Sequence, residues 1–534
     1  MVYDLVVVGG GMGGLATAAL AGRLGLRTAL LEAHTKLGGC AGYFRRGPFT
    51  FDAGATALMG LRADEPLADL RDILELDFQA VPTSSYRVHL PDRTLDIVPA
   101  GDRFEALVAA AFARGRRSAR ALRLFWRLQA AVGNTLFRAA AGIPRLPVSR
   151  WKDLVHDFRV LGIPGILAAA TSVLTVRDVL RPLGLDSDIA FHSLIAMLLQ
   201  DTAQAGPETV PFANAAVCLQ AYRLGMSRPR GGMKALTEGI GQMFARMGGD
   251  LRTSTLVEQV EIDDSQQGGA SGRPAFEVVT RRRERLRARQ VALNLPLDLA
   301  ARLLGRTQKG RLARRERRSH AAWSAFTGYV AIDRSAVADN TPLFHQVLRA
   351  YDRPVHDGNN VLISLSAPED ESYGPAYCRV ATMSTHTRPA EWQGLDRASY
   401  EEKKTEFQRN MLAALGQALP EAVGALVHAE FASPRSFQRY TRRTQGAVGG
   451  PPVARSNSNF LAMGSDVFGP GLWVVGDSVF PGQGTMATVI SAIRVVERIT
   501  GQSWSSIKTR YLRRPDSDQA LDPTIGSPSL QPQP

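Results

Sequence analysis

An apolar run from Tyr3 to Val8 meets Gly9-Gly10-Gly11-Met12-Gly13-Gly14 at the start of the chain. Gly9, Gly11 and Gly14 make the pattern G-x-G-x-x-G. Its spacing predicts a buried strand, a turn too tight for side chains, and a helix from Met12 to about Leu24. Thr28 to Glu32 reads as a second strand, so the first few dozen residues form one βαβ unit. Gly9 permits the turn, Gly11 lets the backbone approach a pyrophosphate, and Gly14 lets the helix pack on the sheet. The helix N-terminus offers free N–H groups and a positive dipole end to phosphates. Gly10 and Met12 lie within the same loop. Glu32 ends the second strand, where an acid accepts hydrogen bonds from both hydroxyls of an adenosine ribose and disfavours a 2′-phosphate. Strand, helix and acid together distinguish this segment from a plain glycine-rich turn.

A second glycine cluster follows at Lys36-Leu37-Gly38-Gly39-Cys40-Ala41-Gly42, then Phe51-Asp52-Ala53-Gly54. It suits a loop wrapping an extended dinucleotide. Near the other end, Val474-Val475-Gly476-Asp477-Ser478 and Gly482-Gln483-Gly484-Thr485-Met486 end a strand with an acid and open a helix with glycines. Asp477 is placed to bind ribityl hydroxyls. The helix start at Thr485-Met486 can stabilise negative charge on the pyrimidine edge of a reduced flavin. Both ends together point to FAD.

Length bounds the rest. A chain of 534 residues holds roughly two to four domains. Its composition, 45% hydrophobic and 21% charged, is that of a globular protein with a sizeable core. The net charge of +14 raises the question of a polyanionic partner, nucleic acid or an anionic membrane surface. Nucleic acid is disfavoured, because the arginine-rich stretches lack interleaved aromatics and any binding motif. The three cysteines are far apart and the nine histidines scattered, so neither a disulfide framework nor a metal site is expected. Met1 to Asp4 runs into the first strand with no basic leader region. Val160 to Val176 is uncharged, but Pro164 interrupts it, and it reads as marginally short for spanning a bilayer.

The pattern divides the chain into an α/β, Rossmann-like cofactor domain and an inserted α+β substrate domain. Residues 1–101, 225–320 and 456–505 are expected to form the three pieces of the first. Residues 102–224 read as a helical substrate and membrane-contact region, 321–455 as the substrate-domain sheet, and 514–534 as a disordered tail. Strand-like runs include Ala325 to Ile332, Val361 to Leu365 and Arg379 to Ser384, and Arg281 to Arg289 reads as an arginine-rich turn.

These pieces resemble the phytoene desaturase family of FAD-dependent carotenoid oxidoreductases, which includes carotenoid desaturases, carotene isomerases and retinol saturases. The resemblance rests on Val7 to Gly14, Leu31 to Gly54, Pro229 to Leu236, Val257 to Ile262 and Gly471 to Ser491, and extends from Met1 to about Gly501. Gly476 to Gly484 is its most specific part. Ser433 to Gly450 looks like the family's substrate-side strand and loop. The resemblance implies FAD contacts from Gly9, Gly11, Gly14, Glu32, Gly39, the backbone of Val257, Asp477 and Met486. Many members have Arg where this chain has Cys40. Asn359 to Ser366 and Ala381 to Thr387 look closest to desaturases acting near the ends of acyclic carotenoids.

The implied activity is desaturation: hydride passes to the flavin, a neighbouring carbon loses a proton, and a conjugated double bond forms. Charge spreads along the polyene, so a strong protein base is unnecessary and no catalytic side chain stands out. His386 and Arg435 are candidates only by their place on expected substrate strands. The carotenoid would come from a membrane and the electrons would go to oxygen or a quinone. Monotopic attachment to the cytoplasmic face is the implied location. Arg116, Arg120, Arg123 and Arg127 share one helical face opposite Leu122, Phe125, Gln129, Val132 and Leu136, a pattern that serves equally for lipid binding or a solvated face over the core. An isomerase, a saturase and a non-catalytic lipid-binding protein on the same fold remain as alternatives.

Overall fold

The computed structural model describes residues 1–99, 102–263, 275–305 and 323–512; the expected tail at 514–534 lies outside them. Leu5–Val8 is buried along its whole length, as an uninterrupted apolar run requires of a central parallel strand. Thr28–Leu31 lies parallel beside it, and the helix Met12–Arg23 makes the crossover. Asp250–Arg252 extends the sheet on one side, Val291–Leu293 and Leu472–Val474 on the other, all in parallel. The five strands thus come from the first, middle and last parts of the chain. Side chains alternate across the sheet as its pleat demands. Leu5 and Val7 pack on Leu15, Phe244 and Val489 of three covering helices. Val6 and Val8 pack on Val260, Phe276 and Leu286 of a smaller sheet.

The second body is a seven-stranded sheet in the order Leu426–Ala432, Ser324–Asp333, Cys378–Thr387, Asn360–Leu365, Phe344–Leu348, Tyr86–Leu90, Arg93–Ile97. Every neighbouring pair is antiparallel except Phe344–Leu348 with Tyr86–Leu90. Its last two strands come from the segment that the sequence reading gave to the first cofactor piece. They pair here because Tyr86, Val88 and Leu90 on alternate positions join an apolar core with the helices of residues 102–224. Helix Arg397–Ala418 covers the opposite face through Phe407, Met411 and Leu415.

Two further expectations are corrected. The segment after Ser433 is a helix, Pro434–Thr441, since Pro434 sits at its first turn, where its missing N–H costs nothing. Arg285–Ala288 within the arginine-rich stretch is a strand, its arginines paired with Glu277 and Glu261 across the ladder.

A buried ionic node joins the two bodies. Asp52 Oδ2 accepts from Arg228 Nη2 at 3.1 Å and from the Tyr373 hydroxyl at 2.9 Å, while Oδ1 accepts from Met233 N at 2.8 Å. Arg228 also donates to Ser364 on the seven-stranded sheet. Both members of the ion pair are 1% exposed. Truncating one partner of such a pair leaves the other charge buried alone, at a cost of about 3–5 kcal/mol. Asp52→Ala is therefore expected to lose that much unfolding free energy in a denaturant titration, and a loss below about 1 kcal/mol would disprove the assignment.

Candidate functional site

The N-terminal loop requires its glycines for separate reasons. Gly9 has φ of 100°, and a Cβ there would sit 2.7 Å from the Asn294 carbonyl oxygen. A Cβ on Gly11 would lie 2.6 Å from Asn294 Oδ1, and one on Gly14 only 2.0 Å from the Gly9 carbonyl oxygen. The helix that follows has no side-chain cap, so its first N–H groups remain available. Glu32 is held by its own neighbours: Gly10 N donates to Oε2 at 2.6 Å and His34 N to Oε1 at 2.7 Å.

The C-terminal loop meets this one. Helix Thr485–Thr500 starts after Gly484, again without a side-chain cap. Asp477 accepts from Arg443 Nη2 at 2.6 Å, and Arg443 Nη1 donates to the Gly449 carbonyl at 2.7 Å. Asn294 Nδ2 donates to the Val475 carbonyl at 3.0 Å, so one side chain touches the backbone at both ends of the chain. Burial raises the pKa of the Cys40 thiol nearby, opposed by the Arg443 guanidinium.

A cavity of about 860 Å³ runs over both loops. Gly9, Gly11, Met12, Glu32, Gly39, Val257, Asp477 and Met486 all line it. Gly10 and Gly14 lie just behind, Gly10 binding Glu32 and Gly14 against the turn. The fold thus brings residues separated by more than four hundred positions into one wall. The lining continues past the loops along Leu136, Phe137, Leu161, Val217, Leu362 and Phe460, an apolar gallery between the helical region and the seven-stranded sheet.

The two tentative side chains part company. His386 lines the cavity; burial, and then the charge of His356, lower its pKa to about 4. Arg435 lies outside the lining: it donates to the Leu395 carbonyl at 2.9 Å and stacks 4.1 Å over the Tyr400 ring, a packing role. Sequence reasoning missed Asn294, Arg443 and Asp201. Asn294 follows the strand Val291–Leu293, and nothing in its local pattern marks the loop contacts. Arg443 and Asp201 face the cavity only through tertiary packing.

The arginine helix Arg116–Ala140 packs its main apolar stripe on the protein. Leu122, Phe125, Trp126 and Gln129 are buried in the protein, and Arg116, Arg120, Arg123 and Arg127 point outward. Leu124 and Leu128 of the same helix are also exposed, and a larger exposed apolar surface lies on Trp151–Ala170, where Trp151, Leu154, Phe158, Ile163 and Leu167 are 72, 58, 59, 70 and 66% exposed. That helix and the turn after it, residues 151–173, are long and apolar enough to cross a membrane by length and composition. Gly162, with φ of 59°, breaks the helical path two residues before Pro164.

Since a Cβ at position 14 has no room, Gly14→Ala must displace either the helix or the Gly9 turn. The variant is expected to purify without the visible absorbance of a bound flavin-type dinucleotide and to unfold at lower temperature. Retention of the full spectrum would show that the loop does not hold the cofactor.

Residues 7–74 match the family described as NAD(P)-binding Rossmann-like domain. Prolycopene isomerase of Daucus carota is 22% identical over 93% of this chain and 80% of its own length. The lycopene-forming phytoene desaturase of Pseudescherichia vulneris is 26% identical over 49% of this chain and 51% of its own. Among solved structures, an oxidoreductase from Methanosarcina mazei superposes with a TM-score of 0.61 at 16% identity, covering 92% of this chain and 99% of that one. Putrescine oxidase gives 0.57 at 15%, covering 94% and 100%. The similar sequences are carotenoid isomerases and desaturases and the similar folds oxidoreductases, which points to a flavin-type dinucleotide cofactor. The chain is an oxidoreductase homologous to the carotenoid desaturases and isomerases, built on the fold that amine oxidases share.

Proposed function

We propose that this chain is an FAD-dependent carotenoid desaturase that introduces conjugated double bonds near the end of an acyclic carotenoid. The observation that carries the reading is the single cavity that joins the glycine loops to an apolar gallery. A gallery of this lining suits a long hydrocarbon.

In this reading Gly9, Gly10, Gly11, Met12 and Gly14 shape the loop that receives the pyrophosphate, and Glu32 takes the adenosine ribose. Gly39 and the backbone of Val257 flank the same end. Asp477 takes the ribityl chain, and Met486, in the first turn of its helix, offers a backbone N–H to the pyrimidine edge of the ring system. The cramped glycines fit the group, because a Cβ on Gly9, Gly11 or Gly14 would collide with Asn294 or the Gly9 carbonyl and push the loop backbone off its path along the cavity. Bound FAD supplies hydride acceptance. The protein's own residues orient the polyene, exclude water and hold charge at the cavity's polar end.

The substrate would enter from a membrane. Leu161 and Phe460 line the cavity, and Phe460 is itself 57% exposed beside the apolar surface of Trp151–Ala170. Lys152 and Arg159 on that helix, with the chain's net charge of +14, favour anionic lipid. Monotopic docking on the inner face of the cell membrane is the location this supports, with oxygen or a membrane quinone as electron acceptor. A second reading, a carotene isomerase, is favoured by the coverage of the prolycopene isomerase match, 93% of the chain.

The deciding measurement is the mass of the carotenoid product after incubation of flavin-loaded protein with acyclic carotenoids on liposomes. Loss of hydrogen pairs with a red-shifted spectrum is the expected result. Unchanged mass with altered geometry would replace the desaturase by the isomerase, and a gain of hydrogen by a saturase. For docking, Phe158→Ser and Leu167→Ser are each expected to weaken co-flotation with anionic liposomes about tenfold, as the loss of a buried large apolar side chain implies. Unchanged flotation of the double variant would rule this helix out as the docking face.

A further inference from the structure

Glu32, Asp201 and Asp477 are the carboxylic residues among those lining the cavity. The first and last belong to the two cofactor loops, which leaves Asp201 without a role. It sits near the end of helix Ile189–Ala203, its side chain 15% exposed. Gln346 Nε2 donates to Asp201 Oδ2, and the Tyr86 hydroxyl fixes Gln346 from behind by donating to Oε1 at 2.6 Å. Asp201 Oδ1 faces His386 Nδ1 at 3.7 Å. The next residue, Thr202, accepts from Gln483 Nε2 at 2.8 Å through its carbonyl. Gln483 belongs to the glycine loop that opens helix Thr485–Thr500. Asp201 therefore stands where the apolar gallery meets the cofactor end.

Every group facing Asp201 is neutral near pH 7. Tyr86 on its strand and Tyr222 on helix Phe212–Leu224 have hydroxyl pKa values raised well above normal by burial. His386 is held neutral by burial, with His356 beyond it paired to Asp357 at 2.6 Å. No Lys or Arg pairs with Asp201 among the described residues. Burial alone raises its pKa to about 8. A carboxyl oriented by an amide, open to an apolar cavity and unpaired with any cation is free to give and take a proton.

We propose that Asp201 is the proton-exchanging catalytic residue of this cavity and that Gln346 is its positioning residue. The assignment rests on the polyene reading above. One C–H bond of the substrate breaks with both electrons leaving as hydride to the bound oxidised flavin. The adjacent C–H bond breaks, its electron pair forms the new C=C bond, and its proton passes to the Asp201 carboxylate and from there to water. The carboxylate is the active form, so turnover rises with pH toward about 8 and levels above it.

The test uses flavin-loaded wild type, Asp201→Asn and Gln346→Leu. An infrared titration from about pH 6 to 10 is expected to show a protonated-carboxyl C=O band lost near pH 8 and missing from Asp201→Asn. Gln346→Leu, which removes a donor to the carboxylate, is expected to move that midpoint upward. On carotenoid in liposomes, Asp201→Asn should lower kcat about 10²–10⁴-fold with KM and flavin content unchanged, and should lose the alkaline rise. No such band in wild type, or an Asp201→Asn variant that keeps wild-type kcat and pH profile, would overturn the proposal. Wild type that converts no polyene would sink the substrate reading instead, and the infrared band would still decide whether Asp201 holds an exchangeable proton.

Discussion

Much of this molecule depends on how closely backbone can approach one side chain. Asn294 follows a middle strand of the parallel sheet and donates to the Val475 carbonyl. The backbones of Gly9, Gly11, Gly13 and Gly476 pass so near it that a Cβ on any of them would fall within about 3 Å of Asn294 or clash outright. The two cofactor loops can therefore meet only if both are made of glycine at the crossing. Their approach leaves two uncapped helix starts, Met12 and Thr485, beside the same cavity. Positive dipole ends and free N–H groups are concentrated there, with Lys36 and Arg443 also in the cavity wall.

The cofactor half was legible because its chemistry is local. A strand, three spaced glycines and a terminal acid specify their geometry within about thirty residues, and the second loop repeats the device. The cavity wall beyond the loops was not legible. Asp201 lies in an otherwise unremarkable apolar helix, and its neighbours Gln346 and Tyr86 come from strands 145 and 115 residues away in sequence. Nothing in the spacing of such residues announces that they meet. Tyr86–Leu90 and Arg93–Ile97 were assigned to the wrong body for a related reason. A short strand carries its alternation but not the identity of the sheet that will accept its edge.

The exposed faces were also only half readable. The arginines of Arg116–Ala140 form a face that sequence alone leaves ambiguous between lipid and water, while burial of Phe125 and Trp126 assigns the helix's main apolar stripe to the protein core. The apolar surface that remains, on Trp151–Ala170, hides in sequence behind Gly162 and Pro164. A break that argued against one straight span is compatible with a bent helix lying along a surface. The same helix contributes Leu161 to the cavity wall, so surface and interior are separated there by the thickness of one element.

The order of strands has a consequence for how the chain comes to exist. Leu472–Val474 is hydrogen-bonded beside Val291–Leu293, which pairs with Leu5–Val8, so the sheet is complete only after residue 474 has left the ribosome. Contacts of such long sequence separation form slowly, and their unpaired edges stay exposed meanwhile. The two glycine loops share that sheet, so the cavity between them closes only once Leu472–Val474 has paired. A ligand that bridges the first and last strands of the sheet would itself hasten the closure.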